Sequence, residues 1–258
     1  MVERRECGEP LAYVVGVKEF WSMEFRVTKD TLIPRSDSEV LVEALTYDPQ
    51  TPLRILDLGT GSGCLLLAAL SEYANASGVG IDISSGALAV ARQNAEALGL
   101  NTRSTFLEVD MESLPLMKEH NPTPSALRDL LMRQFDVIMC NPPYIPVSEL
   151  PLIAPDVLAH EPHGALFSDG PDAVTKRNQT VHTDEDLGLR FYAALASSVD
   201  FLLDSVSPHN SSVLLEIGSQ RQAEAVRDLF AHTTVTFDRF LMDAEHRYRG
   251  VVLRRYKQ

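Results

Sequence analysis

Leu56-Asp57-Leu58-Gly59-Thr60-Gly61-Ser62-Gly63 closes a short apolar run and opens a helical stretch. Its reading decides the fold. Glycines at such a strand-to-helix turn permit positive φ and leave no Cβ between the backbone and a ligand. About twenty residues further on, Gly80-Ile81-Asp82 ends a second apolar run, where a carboxylate can accept both ribose hydroxyls of an adenosine. Either half alone is a common strand-helix turn; in the order strand, loop, helix, strand, acid they point to a nucleoside-containing cofactor. The Gly-Thr-Gly-Ser-Gly spacing behind Asp57 differs from the G-x-G-x-x-G that seats a pyrophosphate at a helix N-terminus, which favours a ligand without phosphates.

Outward from this loop, short apolar runs alternate with helical stretches, the pattern of a parallel sheet with crossover helices. Strands are expected at 55–58, 78–83, 105–109, 135–140, 213–217, 235–240 and 251–255, and helices at 64–74, 85–98, 188–204 and 220–231. The fold class is therefore α/β, a seven-stranded, mostly parallel sheet with a short N-terminal β-hairpin annex. The annex spans 1–48 and the main domain 49–258, with Tyr47-Asp48-Pro49-Gln50-Thr51-Pro52 as the linker. Within the annex, Glu19-Phe20-Trp21 and Phe25-Arg26-Val27 read as strands around a Ser22-Met23-Glu24 turn. An extended Leu32-Ile33-Pro34-Arg35 leads to a helix that Ser36 or Asp37 would cap. Segments 112–134 and 168–188 read as insertions or loops.

The chain has 258 residues, 45% of them apolar, enough for a full core. With 23 Lys and Arg against 36 Asp and Glu, its net charge of −13 disfavours stable binding to a phosphate backbone. No run of about 18 apolar residues is present, and Met1 to Glu9 lack the apolar core of a secretory signal, so a soluble intracellular protein is expected. Cys7, Cys64 and Cys140 form no CxxC pair, as in a reducing compartment. Cys140 has no evident His partner and reads as a small apolar residue. His160, Glu161 and His163 lack the spacing of a metal-binding helix, and no metal is expected.

Asn141-Pro142-Pro143-Tyr144 directly follows the fourth expected strand, where an open α/β sheet holds its ligand crevice. Two prolines fix φ and remove two backbone donors, leaving a rigid array of acceptors. The Asn141 side-chain carbonyl and the Pro142 backbone carbonyl can take the two N–H groups of a planar NH₂. Tyr144 can pack on the plane of that group. The loop thus selects an amide or aromatic amine nitrogen and needs no strong base.

On these residues the chain resembles two nested groups. Asp57 to Gly63 resembles the first motif of the S-adenosylmethionine-dependent, Rossmann-like methyltransferases, whose glycine loop passes the methionine part of the cofactor. Gly8-Glu9-Pro10 with Tyr13 and Gly16, Leu32-Ile33-Pro34-Arg35 with Asp37-Ser38-Glu39, and Glu161-Pro162 with Ala165-Leu166 narrow the match. So do Asp169-Gly170, Phe191-Tyr192 and Leu215-Glu216-Ile217-Gly218 with Gln220. Together they resemble the HemK/PrmC family, the peptide-chain release factor glutamine-N5 methyltransferases. The resemblance implies methyl transfer from S-adenosylmethionine to the Gln of a Gly-Gly-Gln motif in a release factor, in cytoplasm or mitochondrion. It implies cofactor contacts from Gly59, Thr60, Gly61, Ser62, Gly63, Asp82, Asp110, Met111 and Asn141. Substrate contacts are implied for Asn141, Pro142, Pro143 and Tyr144, of which Asn141, Pro142 and Tyr144 carry catalysis, while Arg35 and Glu161 either help close the site or are a structural ion pair or solvated charges. Only Met1 to Cys7 precede Gly-Glu-Pro, so the family's helical substrate-docking domain is expected to be largely absent. A glutamine of a ribosomal protein, or an adenine amino group in DNA or RNA, is the competing acceptor.

Overall fold

A computed structural model describes residues 1–118, 127, 130–131, 134–170, 172, 187–204, 207 and 209–256. The two segments read as insertions therefore lie largely outside the described residues. Strands β1 (Val17–Phe20) and β2 (Met23–Arg26) form a hairpin. β3 (Arg54–Leu58), β4 (Ser77–Asp82), β5 (Ser104–Glu108), β6 (Val137–Cys140), β7 (Ser211–Glu216), β8 (Thr236–Met242) and β9 (Tyr248–Arg255) form the sheet expected from the alternation. Their order is β5-β4-β3-β6-β7-β9-β8, with β3 to β7 parallel and β9 antiparallel to both of its neighbours. The helices are α1 (Val2–Glu6), α2 (Leu11–Val15), α3 (Glu39–Glu43), α4 (Cys64–Glu72), α5 (Ser85–Ala97), α6 (Pro155–His160), α7 (Arg190–Leu202) and α8 (Gln220–Leu229). Among the described residues no helix is long and apolar enough to cross a membrane.

The central strands are buried on both faces, which is why β6 and β7 show apolar runs in place of an alternation with polar residues. Ile55, Val137, Met139 and Leu214 face a core shared with α3, α4 and α5; Leu56, Leu58, Ile138, Val213 and Leu215 face one shared with α7 and α8. Phe20, Phe25, Leu41 and Val42 from the lead-in sit in the first of these cores. Ser84 and Ser219 cap α5 and α8, their hydroxyls accepting from Ala87 N at 3.1 Å and Gln222 N at 3.2 Å.

Two local expectations are corrected. The hairpin turns at Trp21-Ser22, not at Ser22-Met23-Glu24, with φ of 53° and 56° and Phe20 paired to Met23. The type I′ two-residue turn formed here needs positive φ at both central positions, which neither residue advertises. Trp21 is held there by side-chain contacts: its N donates to Glu39 Oε1 at 2.8 Å and its Nε1 to Glu72 Oε1 at 2.7 Å. At the lead-in helix, neither Ser36 nor Asp37 supplies a cap. A 3₁₀ turn over Ser36–Ser38 precedes α3, and Asp37 instead pairs with Arg249 at 2.9 Å.

The chain leaves β3 toward β4 and β5 on one side, then returns to β6 and β7 on the other. This reversal is a topological switch point, where the loops diverge and leave a crevice beyond the strand ends. Leu58 pairs with Cys140, so Gly59 and Asn141 are the next residues on adjacent strands. Two motifs far apart in sequence are neighbours because of strand order alone.

Candidate active site

A cavity of about 1010 Å³ opens at these strand ends. Its floor is the loop after β3. Gly59, Gly61 and Gly63 have φ of 69°, 55° and 82°, a conformation that side chains with a Cβ resist. Thr60 N donates to Ile81 O at 2.9 Å, and its hydroxyl donates to Asp57 Oδ2 at 2.6 Å. Asp57 is buried beneath the loop and is not on the cavity wall. Burial lifts its carboxyl to about 7, against the pull of Thr60 and of the Leu66 amide.

Asp82, at the end of β4, accepts from Gly61 N and Ser84 N, both at 2.9 Å, and so ties loop to strand. Burial raises its carboxyl while these amides oppose the shift. Gly80 leaves room for this arrangement: a Cβ there would stand 2.7 Å from Thr60 Oγ1 and 2.8 Å from Phe106.

The structure brings Gly59, Thr60, Gly61, Ser62, Asp82, Asp110, Met111, Asn141 and Pro143 to the cavity wall, and sets Gly63, Pro142 and Tyr144 off it. Gly63 begins α4 in the left-handed conformation, where a Cβ would press on Leu67 and Ala91 at 3.2 and 3.3 Å. Tyr144 is turned away from the wall, its hydroxyl donating to Glu216 Oε1 at 3.5 Å and its carbonyl accepting from Gln222 Nε2 at 3.1 Å. Burial pushes its phenol above the usual range. Asn141 Nδ2 donates to Ser38 Oγ at 3.3 Å, which leaves Oδ1 as the acceptor at the cavity.

Arg35 and Glu161 meet on the opposite wall. Arg35 Nη2 donates to Glu161 Oε1 at 2.6 Å, and Ile33 N donates to Oε2 at 3.1 Å. His160 and His163 also reach the wall, the latter hydrogen-bonded to Leu158 O at 2.8 Å. No group of three His, Cys, Asp or Glu among the described residues has the geometry to hold a metal. Burial, with Asp57 and Glu216 nearby, pushes the Cys140 thiol up, the opposite of what a nucleophile needs.

Three contributors were given no site role by the sequence, although Ser38 and Glu216 lie within quoted signature segments. Ile83 is 68% exposed yet lines the cavity; its signal is a large apolar residue directly after Asp82. Ser38 and Glu216 enter only through contacts between distant segments.

An S-adenosyl cofactor fits this lining. A Cβ on Gly59 would fill the space 3.7 Å from Met111 Cε and 3.9 Å from Asn141 O, so glycine keeps the backbone within a ligand's reach. The wall carries Asp30, Asp82, Asp110, Glu112, Glu161, Asp169 and Asp172 against Lys29, Arg35 and Arg190, a balance suited to a ligand bearing a sulfonium and an ammonium.

Known proteins resemble this chain. A family described as a methyltransferase domain matches residues 50–185. A release factor glutamine methyltransferase of Caulobacter vibrioides is 36% identical over 253 residues, covering 97% of this chain and 75% of the relative. The chain belongs to the release factor glutamine methyltransferase family. The family's Bradyrhizobium diazoefficiens member is 44% identical over 179 residues, covering 66% of this chain and 54% of that protein. The chain thus spans between half and three quarters of the length of these family members. A crystal structure of a methyltransferase from Pyrococcus furiosus superposes with a TM-score of 0.59 at 12% identity, covering 99% of this chain and 100% of that one, a likeness of fold.

Proposed function

We propose that the protein transfers the methyl group of S-adenosylmethionine to the side-chain amide nitrogen of a glutamine, that of the Gly-Gly-Gln motif of a peptide-chain release factor. The observation that carries this is the placement of Asn141 beside Gly59 on one cavity wall, with Asp82 across the loop. When bound, S-adenosylmethionine supplies an electrophilic methyl group. The chain supplies position. Asp82 accepts from ribose hydroxyls, Ile83, Asp110 and Met111 border the base, and Gly59 to Ser62 expose backbone to the methionine part.

Asn141 Oδ1 takes one N–H group of the incoming amide, whose nitrogen is a weak nucleophile because its lone pair is delocalised; Pro142, set off the wall, has to turn its carbonyl toward the crevice to take the other. Two aligned acceptors hold that nitrogen in line and favour the positive charge that develops on it as the N–C bond forms and the methyl–sulfur bond breaks; loss of one N–H proton to water then leaves the neutral N-methyl amide. Pro143 borders the acceptor, and Tyr144 fixes the loop from below through Glu216. Arg35 and Glu161 close the far wall. In this reading residues 1–48 form a lead-in and 49–258 the catalytic domain, and the enzyme works where translation terminates, in cytoplasm or mitochondrion.

Incubation with cofactor labelled on the methyl group and three acceptors tests the reading: a release factor, a ribosomal protein and adenine-containing DNA. Label on the release-factor glutamine is expected. Label on the DNA alone would overturn it.

A further inference from the structure

We propose that Gln222, on α8, is a positioning residue whose side-chain amide pins the far end of the Asn141–Tyr144 loop, so that the Pro142 carbonyl meets the acceptor from a fixed base. The proposal deepens the methyl-transfer reading and rests on it for its kinetic consequences.

Pro142 and Pro143 have fixed φ but no N–H, so neither can tie the loop to its surroundings as a backbone donor. The shape of the loop is therefore set from its two ends. The near end is secured by the sheet, where Cys140 pairs with Leu58 on one side and Leu215 on the other. The far end is Tyr144, whose carbonyl accepts from Gln222 Nε2 at 3.1 Å.

The same nitrogen donates to Leu187 O at 2.6 Å, just before α7, and Gln222 Oε1 accepts from Gly218 N at 2.8 Å in the turn after β7. Three segments thus converge on one planar group that must donate twice and accept once. Among uncharged side chains only an amide does this. Gln222 is 4% exposed, and its own N donates to Ser219 Oγ at 3.2 Å, which fixes the backbone from which the amide projects.

Two glycines shape the socket around Tyr144. A Cβ on Gly188, whose φ is 64°, would stand 2.2 Å from Tyr144 O, and one on Gly218 would stand 3.0 Å from the Tyr144 ring. With both ends held and φ set at both prolines, the freedom left to the loop is rotation within the Pro142–Pro143 segment. That rotation turns the Pro142 carbonyl toward the crevice while the loop as a whole stays beside Asn141. Gln222 is not on the cavity wall, so releasing it loosens the acceptor loop without touching the cofactor cradle.

Measurements on the full chain test this. Tyr144-Ile145 is the only Tyr-Ile pair in the sequence. Labelling with ¹³C-carbonyl tyrosine and ¹⁵N-isoleucine therefore gives one correlation that reports the Tyr144 carbonyl. Gln222→Glu keeps the size but donates one hydrogen at most, and Gln222→Met donates none. In both, the correlation is expected to shift and broaden while calorimetric cofactor affinity stays nearly unchanged; an unmoved correlation in either overturns the clamp. In the wild type, with no variant needed, the Gln222 NH₂ hydrogens should exchange with solvent far more slowly than those of exposed glutamines. Exchange at the exposed rate also overturns the clamp. In methylation of a release factor, both variants should lower kcat about tenfold to 100-fold with cofactor KM nearly unchanged. Wild-type kcat in Gln222→Glu would show that filling the space suffices, and would overturn the positioning role. A wild type that methylates no glutamine sinks the functional reading instead, and the carbonyl correlation still decides the clamp.

Discussion

The two halves of the cavity are built by different means. On the cofactor side, the loop from Gly59 to Gly63 and Asp82 are joined mostly through backbone groups close in sequence, Gly61 to Asp82 spanning 21 residues and Ser62 to Asn94 32. On the acceptor side, side chains from remote segments meet: Asn141 and Ser38 lie 103 residues apart, Arg35 and Glu161 126, Tyr144 and Glu216 72. A backbone cradle depends on a few glycines and one acid; a side-chain cluster depends on the whole sheet being correctly ordered. The first should therefore be robust in binding, and the second sensitive in catalysis.

Asn141→Ala is the sharpest way to separate the halves. It should lower kcat by about 100- to 1000-fold, the effect of removing one preorganised partner of the reacting group, with calorimetric cofactor affinity held within a few-fold. Equal losses in both quantities would break the division. Asp82→Ala probes the other half: losing an ionised acceptor should weaken cofactor binding about 10- to 100-fold, and an unchanged calorimetric Kd would remove Asp82 from the ribose. Arg35→Ala leaves the Glu161 charge, whose side chain is 1% exposed, without its cation. Breaking such a pair should reduce stability by about 2 kcal/mol, at the low end because Arg35 itself is partly solvated; an unaltered urea midpoint would show the rim to be solvated.

The smallest effect concerns pH. Asp57 and Glu216 are both raised to about 7 by burial, so the folded chain retains protons that the unfolded chain has lost from about pH 4.5 upward. Their contribution makes stability fall as pH rises through that window. Glu216→Gln should flatten the fall between pH 5 and pH 7 by on the order of 1 kcal/mol, read from urea unfolding at the two pH values. A slope identical to wild type would show that Glu216 titrates alike in both states.

This contrast also explains what could be read from residues alone. The sheet was legible because buried parallel strands and crossover helices leave long apolar runs at regular intervals, and the glycine loop because positive φ and close approach demand glycine locally. Asn141 to Pro143 was legible because two adjacent prolines constrain their own backbone. Ser38 was legible only as part of the Asp37-Ser38-Glu39 signature and not as a partner of Asn141, since a serine in a lead-in turn has no periodicity linking it to a strand 103 residues away. Glu216 carried a signal in hindsight, a carboxylate inside Val213-Leu214-Leu215-Glu216-Ile217, where a buried charge needs partners. The Trp21-Ser22 turn was misread because tertiary contacts to Glu39 and Glu72, not local preference, hold it.

Asn94 on α5 joins the hairpin to the cofactor floor. Its Oδ1 accepts from Arg26 N at 2.8 Å, and its Nδ2 donates to Arg26 O at 3.1 Å and to Ser62 O at 2.9 Å. With both ends of this buried amide committed, the hairpin is not a detachable module. Cutting the gene after codon 48 would remove both Arg26 partners of this amide and open to water the site directly under the glycine loop. The boundary for expressing a minimal catalytic unit therefore lies before β1, although the sheet does not begin until β3.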